Sequence, residues 1–269
     1  MRIRFIKMHG LGNDFVIIDR RSGAVPSFSQ QTRAALADRH CGIGCDQLIL
    51  LESSDVADLR MGVFNPGGTE AEACGNATRA VGLLEDRSLT IETAGGIIAA
   101  EADDEDITVD MGAPKFAWQA IPLAYPVDTD AMPVGWDGLN DPAAVNVGNP
   151  HVVFFVPDAA AVPLSELGPQ IENDSLFPAG VNVNVAEVTG ERAIALRVWE
   201  RGAGLTRACG TGACATAVVA LRRKLVSSPV TVSLPGGDLI ITWNGAGSVM
   251  MTGPASESFR GDFALEDFS

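Results

Sequence analysis

The chain repeats one order of segments, and this repeat limits its architecture more than any other feature of the sequence. Gly12–Ile18 and Gly148–Phe154 each place Gly-Asn just ahead of an apolar run that is typical of a buried strand. A Cys-Gly pair follows at nearly the same distance along each half, at Cys74 and at Cys209. The matching order predicts two similar domains related by a pseudo-two-fold axis, with corresponding residues facing a cleft between them.

Short β-rich runs dominate both halves, and helices are few. In the first half the pattern predicts strands at Arg2–Met8, Phe15–Asp19, Gln47–Glu52, Leu89–Thr93, Ile97–Ala102 and Ile107–Met111. In the second half it predicts them at Ala143–Val147, Val152–Val156, Val181–Val188, Ala193–Trp199, Val230–Leu234, Asp238–Trp243 and Ser248–Thr252. Helices are expected at Gln30–Arg39, Ala77–Leu84 and Gly212–Lys224.

The stretch Ala213–Leu221 is apolar on nearly every face. A helix of this kind is buried all round, so we expect a sheet to wrap it. The segment Lys115–Pro142 is rich in Pro and Asp and is interpreted as the link between the halves. The predicted domains are residues 1–114 together with 255–269, and residues 115–254.

Composition excludes several classes of protein. The net charge is −15, and the largest basic block is Arg222–Lys224, so we expect no nucleic-acid partner and no anionic membrane surface. The first ten residues lack the apolar core of a signal peptide, and the five cysteines are an odd number. Both features favour a cytoplasmic protein with reduced thiols.

Cys74 and Cys209 stand just ahead of predicted helices and are each followed by glycine. Free backbone N–H groups and the helix dipole at such a site lower the pKa of a thiol and bind a carboxylate. Two such thiols around one amino acid can invert its Cα: one thiolate removes the α-proton, and the other thiol returns a proton on the opposite face. This chemistry needs neither pyridoxal phosphate nor a metal, so no cofactor is predicted.

The remaining cysteines and histidines are predicted to be structural, with one exception. Cys41, Cys45 and Cys214 are interpreted as small buried apolar residues. His151 belongs to the repeated Gly-Asn segment, and we expect it to line the cleft. The histidines do not form an HExxH-type pair, so a catalytic metal is not expected.

Several motifs resemble those of the diaminopimelate epimerases over essentially the whole chain. The matching segments are Met8–Phe15, Gly42–Leu48, Cys74–Asn76, Gly148–His151 and Glu200–Cys214. The resemblance implies an α+β fold of two pseudo-symmetric domains, each a mixed, barrel-like sheet wrapped around a central helix. It also implies interconversion of LL- and meso-2,6-diaminopimelate, a step toward lysine and peptidoglycan, by a homodimeric enzyme without a cofactor.

The same resemblance assigns roles to individual residues. Cys74 and Cys209 match the acid/base pair, and His151 and Glu200 match residues that support catalysis. Arg201 suits the distal carboxylate, because a guanidinium pairs with a carboxylate through two hydrogen bonds. The expected substrate contacts are Asn13, Gln47, Asn65, Gly75, Asn76, Asn149, Asn182, Glu200, Arg201, Gly210 and Thr211.

One loop departs from the family pattern, and other functions stay open. The family usually has Asn-Ala-Asp-Gly before the first cysteine, where this chain has Asn65-Pro66-Gly67-Gly68. A different racemase on the same scaffold, acting on proline, hydroxyproline or histidine, is the nearest alternative. A covalent thiol enzyme would need a histidine base beside a cysteine, and a non-enzymatic binding protein would need no reactive thiol.

Overall fold

The computed structural model describes residues 1–71, 74–103 and 106–268, and it divides the chain into two units. Unit 1 comprises Met1–Val109 and the C-terminal segment from Pro254, and unit 2 comprises Asp110–Gly253. These boundaries lie within five residues of the predicted ones. The C-terminal segment returns to unit 1 because its strand pairs along the first strand of the chain.

Unit 1 is a mixed sheet with two α-helices among its described residues. Elements are numbered along the chain. Unit 1 contains β1 (Arg2–Gly10), β2 (Asn13–Asp19), α1 (Gln30–Ala37), β3 (Gln47–Glu52), β4 (Leu59–Phe64), β5 (Glu70–Ala71), α2 (Gly75–Glu85), β6 (Leu89–Thr93), β7 (Gly96–Asp103), β8 (Asp106–Asp110), β19 (Ser256–Ala264) and a 3-10 turn (Leu265–Phe268).

Unit 2 has the same kind of composition. It contains β9 (Gly135–Trp136), β10 (Leu139–Asn140), β11 (Ala143–Asn146), β12 (Pro150–Phe155), α3 (Leu164–Glu172), β13 (Asn182–Gly190), β14 (Ala193–Glu200), β15 (Gly204–Leu205), α4 (Gly210–Arg222), β16 (Val230–Leu234), β17 (Gly237–Thr242) and β18 (Met250–Pro254).

The two units repeat one pairing pattern. In unit 1, β2 runs parallel to β3, β3 pairs antiparallel with β4, and β4 runs parallel to β6. In unit 2, β12, β13, β14 and β16 pair in the same order and with the same directions. The antiparallel strands before and after this core also correspond, β1 to β11, β7 to β17 and β8 to β18. The duplication predicted from the sequence is therefore present in the fold.

Each sheet is wrapped around one helix. Residues Gly212–Ala220 of α4 are all buried, and the helix contacts β11–β14, β16 and β17. Many of its residues are glycine, alanine or cysteine, which have no side chain or a small one, so the strands can approach closely. A fully buried valine such as Val218 still contributes about 1.5–3 kcal/mol of burial energy. In unit 1, α2 buries Asn76–Gly82 and contacts β1, β7 and β19. The predicted α+β fold, with a sheet around a central helix in each half, is confirmed.

The segment predicted to be a link is part of unit 2. Ile121, Leu123, Met132 and Leu139 are at most 5% exposed and belong to its hydrophobic core. The interpretation as a linker was wrong, because these apolar side chains are buried in the core of unit 2, although the predicted second domain did include the segment.

Several elements were not predicted. Helix α3 contains Gly168 and Pro169, both of which disfavour a helix interior. A Cβ atom at Gly168 would lie 2.4 Å from Cγ of Trp199, so close packing against β14 requires glycine there. Strand β4 was missed as well, and so was β19, which is polar and largely exposed. Among the described residues, no helix is both long and apolar enough to span a membrane.

Candidate active site

In unit 1, the predicted polar residues meet at one edge of the sheet. Strands β2 and β3 are parallel and begin at Asn13 and Gln47, so these two side chains start at the same edge. Strand β4 is antiparallel to β3 and ends there, immediately before Asn65. Helix α2 begins at the same edge with Cys74 as its N-cap.

Cys74 is tied to this edge through Asn13. The Sγ atom of Cys74 lies 3.9 Å from Oδ1 of Asn13, and Nδ2 of Asn76 donates to the same oxygen at 3.1 Å. Cys74 is partly exposed, while Asn76 is 4% exposed. Asn13, Cys74, Gly75 and Asn76 are thus brought together, whereas Ala73, which precedes Cys74 as Ala208 precedes Cys209, lies outside the described residues.

A charged network fixes the orientation of Asn13. Its Nδ2 donates to Oδ2 of Asp46 at 3.0 Å, and Arg39 bonds both Asp46 and Asp14. Lys7 pairs with Asp14 at 2.5 Å and donates to the backbone carbonyl of Gly44. Burial alone would raise the pKa of Asp14, but hydrogen bonds from Arg39 and Lys7 outweigh it and lower that pKa far below its usual range. Sequence reasoning missed Asp46, although it lies in the matching segment Gly42–Leu48.

The departure from the family pattern forms a tight turn. The carbonyl of Asn65 accepts from the N–H of Gly68 at 2.8 Å, with Pro66 and Gly67 between them. Gly68 has φ of +75°, and a Cβ atom there would lie 2.2 Å from the carbonyl oxygen of Gln30. Proline suits the second position of such a turn, so Asn65 keeps its place after β4.

Unit 2 has an equivalent arrangement at one edge of its sheet, with side chains that are partly different. Strands β12 and β13 are parallel and begin beside Asn149 and at Asn182. Strand β14 is antiparallel to β13 and ends at Glu200. Helix α4 begins there with Cys209 as its N-cap, followed by Gly210 and Thr211.

The surroundings of Cys209 favour the protonated thiol. Cys209 is 3% exposed, its Sγ accepts from the N–H of Gly212 at 3.4 Å, and Oγ1 of Thr211 lies 3.5 Å away. Burial and the nearby carboxylate of Glu200 raise the pKa of Cys209 well above its usual range, against the opposing hydrogen bonds. The N–H of Gly212 at the helix N-terminus does lower this pKa, as expected, but the expected net lowering was wrong because burial and Glu200 outweigh it.

His151 is fully buried and neutral. Its Nε2 lies 2.8 Å from Oδ1 of Asn149, and its Nδ1 lies 3.0 Å from Nδ2 of Asn184. Burial lowers the pKa of His151 to about 3, so the ring stays uncharged near neutral pH. The ring contacts Asn149 directly, and Asn184, which was not predicted, is its second partner.

Asn182 and Arg201 are joined through the backbone. Asn182 donates through Nδ2 to the carbonyl of Pro150 at 2.8 Å and accepts through Oδ1 from the N–H of Arg201 at 2.9 Å. Asn182 therefore fixes the start of β12 and the residue after β14. The side chain of Arg201 is exposed and donates to the carbonyl of Ala179 at 2.9 Å.

The three remaining cysteines are not alike. Cys45 and Cys214 are buried, and burial raises the pKa of Cys45 to about 11. Cys41 was predicted to be buried, but it is exposed in the turn region after α1. Within residues 1–71, 74–103 and 106–268, no group of three or more His, Cys, Asp or Glu side chains is arranged to hold a metal ion.

Known proteins identify the family. The family model described as diaminopimelate epimerase matches residues 5–117 and 143–257, so each matched segment contains one helix-capping cysteine. The chain belongs to the diaminopimelate epimerase family. A diaminopimelate epimerase of Erythrobacter litoralis (strain HTCC2594) is 60% identical over 269 residues, covering 100% of both chains.

Solved structures share the family's fold at low identity. A phenazine biosynthesis protein of the PhzF family from Enterococcus faecalis has a TM-score of 0.72 at 14% identity, covering 98% of this chain and 100% of that one. A hydroxyproline epimerase from Agrobacterium vitis, solved with trans-4-hydroxy-L-proline, has a TM-score of 0.68 at 15% identity, covering 98% and 93%. At such identities the likeness concerns the fold alone.

Proposed function

We propose that this chain is an isomerase that interconverts LL- and meso-2,6-diaminopimelate, with Cys74 and Cys209 as its acid/base pair and without a cofactor. The observation that carries the proposal is the position of the two thiols: each caps the equivalent helix of a duplicated topology. Relatives named diaminopimelate epimerase match the chain from end to end.

The environment of Cys209 supports a role as the acid. Because its surroundings favour the protonated form, we assign Cys209 as the acid and Cys74 as the base in the direction that starts from the resting protein. Cys74 removes the α-proton, and Cys209 delivers a proton to the opposite face of Cα. The reverse reaction requires Cys209 as the thiolate and Cys74 as the thiol.

Both helix N-termini offer donors for the substrate carboxylate. The first N–H groups of α2 and α4 lack intrahelical partners, and they favour the negative charge that develops when Cα loses its proton. Asn13, Gln47, Asn65, Asn76 and Asn149 supply amide donors and acceptors, and Arg201 supplies a guanidinium for the distal carboxylate. The proposal includes a cytoplasmic homodimer acting in lysine and peptidoglycan precursor synthesis.

Incubation of the protein with LL-diaminopimelate in deuterated water tests this function. We expect meso product carrying deuterium at Cα from the wild type and none from Cys209→Ala. Cys214→Ala is the matched control, since it removes a buried thiol of the same helix outside the proposed site, and it should retain activity. Absence of exchange in the wild type, or full epimerisation by Cys209→Ala, would refute the proposal. Proline, hydroxyproline and histidine in a substrate panel test the alternative racemases.

A further inference from the structure

Asn184 is a fully buried amide that the proposed mechanism does not yet use. It lies on β13, with 0% exposure, two residues after Asn182 and on the same face of the strand. Its Nδ2 donates to the carbonyl of Val152 at 3.0 Å and lies 3.0 Å from Nδ1 of His151. The carbonyl of Val152 fixes the orientation of the Asn184 side chain, because a carbonyl oxygen accepts a hydrogen bond only from the amide nitrogen and not from the amide oxygen.

This orientation determines where the proton of His151 lies. An amide nitrogen is a donor, so Nδ1 of His151 must accept and carries no proton. The proton of the neutral ring is then on Nε2, which donates to Oδ1 of Asn149 at 2.8 Å. With its oxygen engaged in this way, Asn149 has its NH₂ group left to donate.

The other end of Asn184 lies against the start of α4. A Cβ atom at Gly212 would lie 2.8 Å from Oδ1 of Asn184, and that oxygen has no hydrogen-bond partner among the described residues. The N–H of Gly212 is the group that donates to Sγ of Cys209. Asn184 thus contacts both the His151–Asn149 pair and the residue that holds the sulfur.

We propose that Asn184 is a positioning residue that selects the Nε2–H tautomer of His151 and thereby presents the amide NH₂ of Asn149 to a carboxylate of the substrate. This inference rests on the proposed function for the identity of the substrate. The ring tautomer itself is a property of the free protein and is independent of activity.

Nuclear magnetic resonance of isotope-labelled histidine ring nitrogens tests the first step. The chain has only three histidines, so variants of His9 and His40 assign the His151 signals. We expect a protonated Nε2 and an unprotonated Nδ1 in the wild type. In Asn184→Asp the carboxylate cannot donate, and we expect the proton to move to Nδ1. A wild-type ring protonated at Nδ1 would overturn the inference, even if the variant does not fold.

Steady-state kinetics with LL-diaminopimelate test the second step. We expect Asn184→Asp to raise KM on the order of tenfold with a smaller change in kcat, because a donor to the bound carboxylate is lost. In an Asn149→Ala background the same change should add little, since both changes act through the contact between Asn149 and the substrate carboxylate.

Thr216→Val is the control. It changes a buried polar side chain elsewhere in unit 2 and should leave the tautomer and KM unchanged. Additive effects of Asn184→Asp and Asn149→Ala would contradict the positioning role. If the wild type epimerises nothing while the tautomer is as expected, the proposed function fails and the tautomer selection stands.

Discussion

Burial and Glu200 together outweigh the helix in setting the pKa of Cys209. A helix N-terminus favours a thiolate, but burial of the 3% exposed sulfur disfavours it, and the Glu200 carboxylate adds to this effect. These effects favour a resting acid at Cys209, whereas the repeat in the sequence left open which of the two cysteines is the thiolate. The sequence could not show this, because burial and the proximity of Glu200 arise only when β14 and α4 pack together.

Alkylation of the free protein measures this effect. Since only the thiolate reacts, labelling of Cys209 by iodoacetamide should keep rising with pH through the alkaline range without a plateau near neutrality. Glu200→Gln removes the negative charge and so lowers the pKa of Cys209, and we expect severalfold faster labelling at a fixed pH. Exposed Cys41, mapped in the same digests, is the internal reference and should be unaffected. Slower or unchanged labelling of Cys209 in Glu200→Gln would show that the carboxylate does not control the thiol.

At the scale of elements, the turn after β4 shows how backbone requirements support a site residue. Gln30 donates through Nε2 to the carbonyl of Gly67 at 3.1 Å, and Arg33 donates through Nε to that of Gly68 at 3.0 Å. These contacts join the turn to α1 and hold Asn65 at the sheet edge. The family's final glycine of the loop corresponds to Gly68, the position that has positive φ and no space for a side chain.

The two glycines of this turn form a matched pair for mutation. Gly68→Ala should lower the free energy of unfolding by about 2 kcal/mol or more, because its φ is +75° and its Cβ would meet the Gln30 carbonyl. Gly67→Ala should change it by less than about 0.5 kcal/mol, since no described atom beyond its chain neighbours lies within 4 Å of the new Cβ. Urea denaturation of both variants checks the difference. Equal stabilities would mean that the turn does not constrain the chain as described.

Elements with strong periodicity or apolar runs were predictable, and those held by particular contacts were not. The pattern located β3, β6 and α4, whose residues are buried for most of their length. It failed for α3, where Gly168 fits against Trp199, since only the tertiary structure reveals that contact. It failed for β19 because exposed polar residues carry no apolar alternation, although pairing with β1 makes them a strand.

At the scale of the whole molecule, the duplicated topology carries unequal chemistry. At the sheet edge of unit 1, neutral amide side chains surround Cys74, and the network of Lys7, Asp14, Arg39 and Asp46 holds them in place. At the equivalent edge of unit 2, the charged Glu200 lies beside Cys209. The repeat was readable from matched spacings, and it made the two thiols look equivalent. Their surroundings differ because corresponding side chains are only partly the same: Asn13 and Asn149 match, but Asn65 of unit 1 stands where unit 2 has Glu200.

The last strand, β19, pairs with the first strand, β1, so the stability of unit 1 depends on β19. Strand β19 pairs along β1 from Ala264 opposite Arg2 to Ser256 opposite His9. Phe263 is buried in the core of unit 1, and its ring centroid lies 6.4 Å from that of Phe5. Unit 2 has its own core, which includes Leu164, Val183 and Val185.

Removal of β19 should therefore unfold one unit and spare the other. In a chain that ends at Gly253, we expect amide hydrogens of β1 and β2 to lose their protection from exchange, while those of β13 and α4 keep it. A chain that ends at Ala264 is the control: it retains β19 and loses only the 3-10 turn, so protection of β1 should persist. Hydrogen exchange followed by mass spectrometry resolves the two units in one experiment. If β1 stayed protected without β19, the ladder between the chain ends would not be what stabilises unit 1. If unit 2 lost protection together with unit 1, the two units would unfold as one cooperative body.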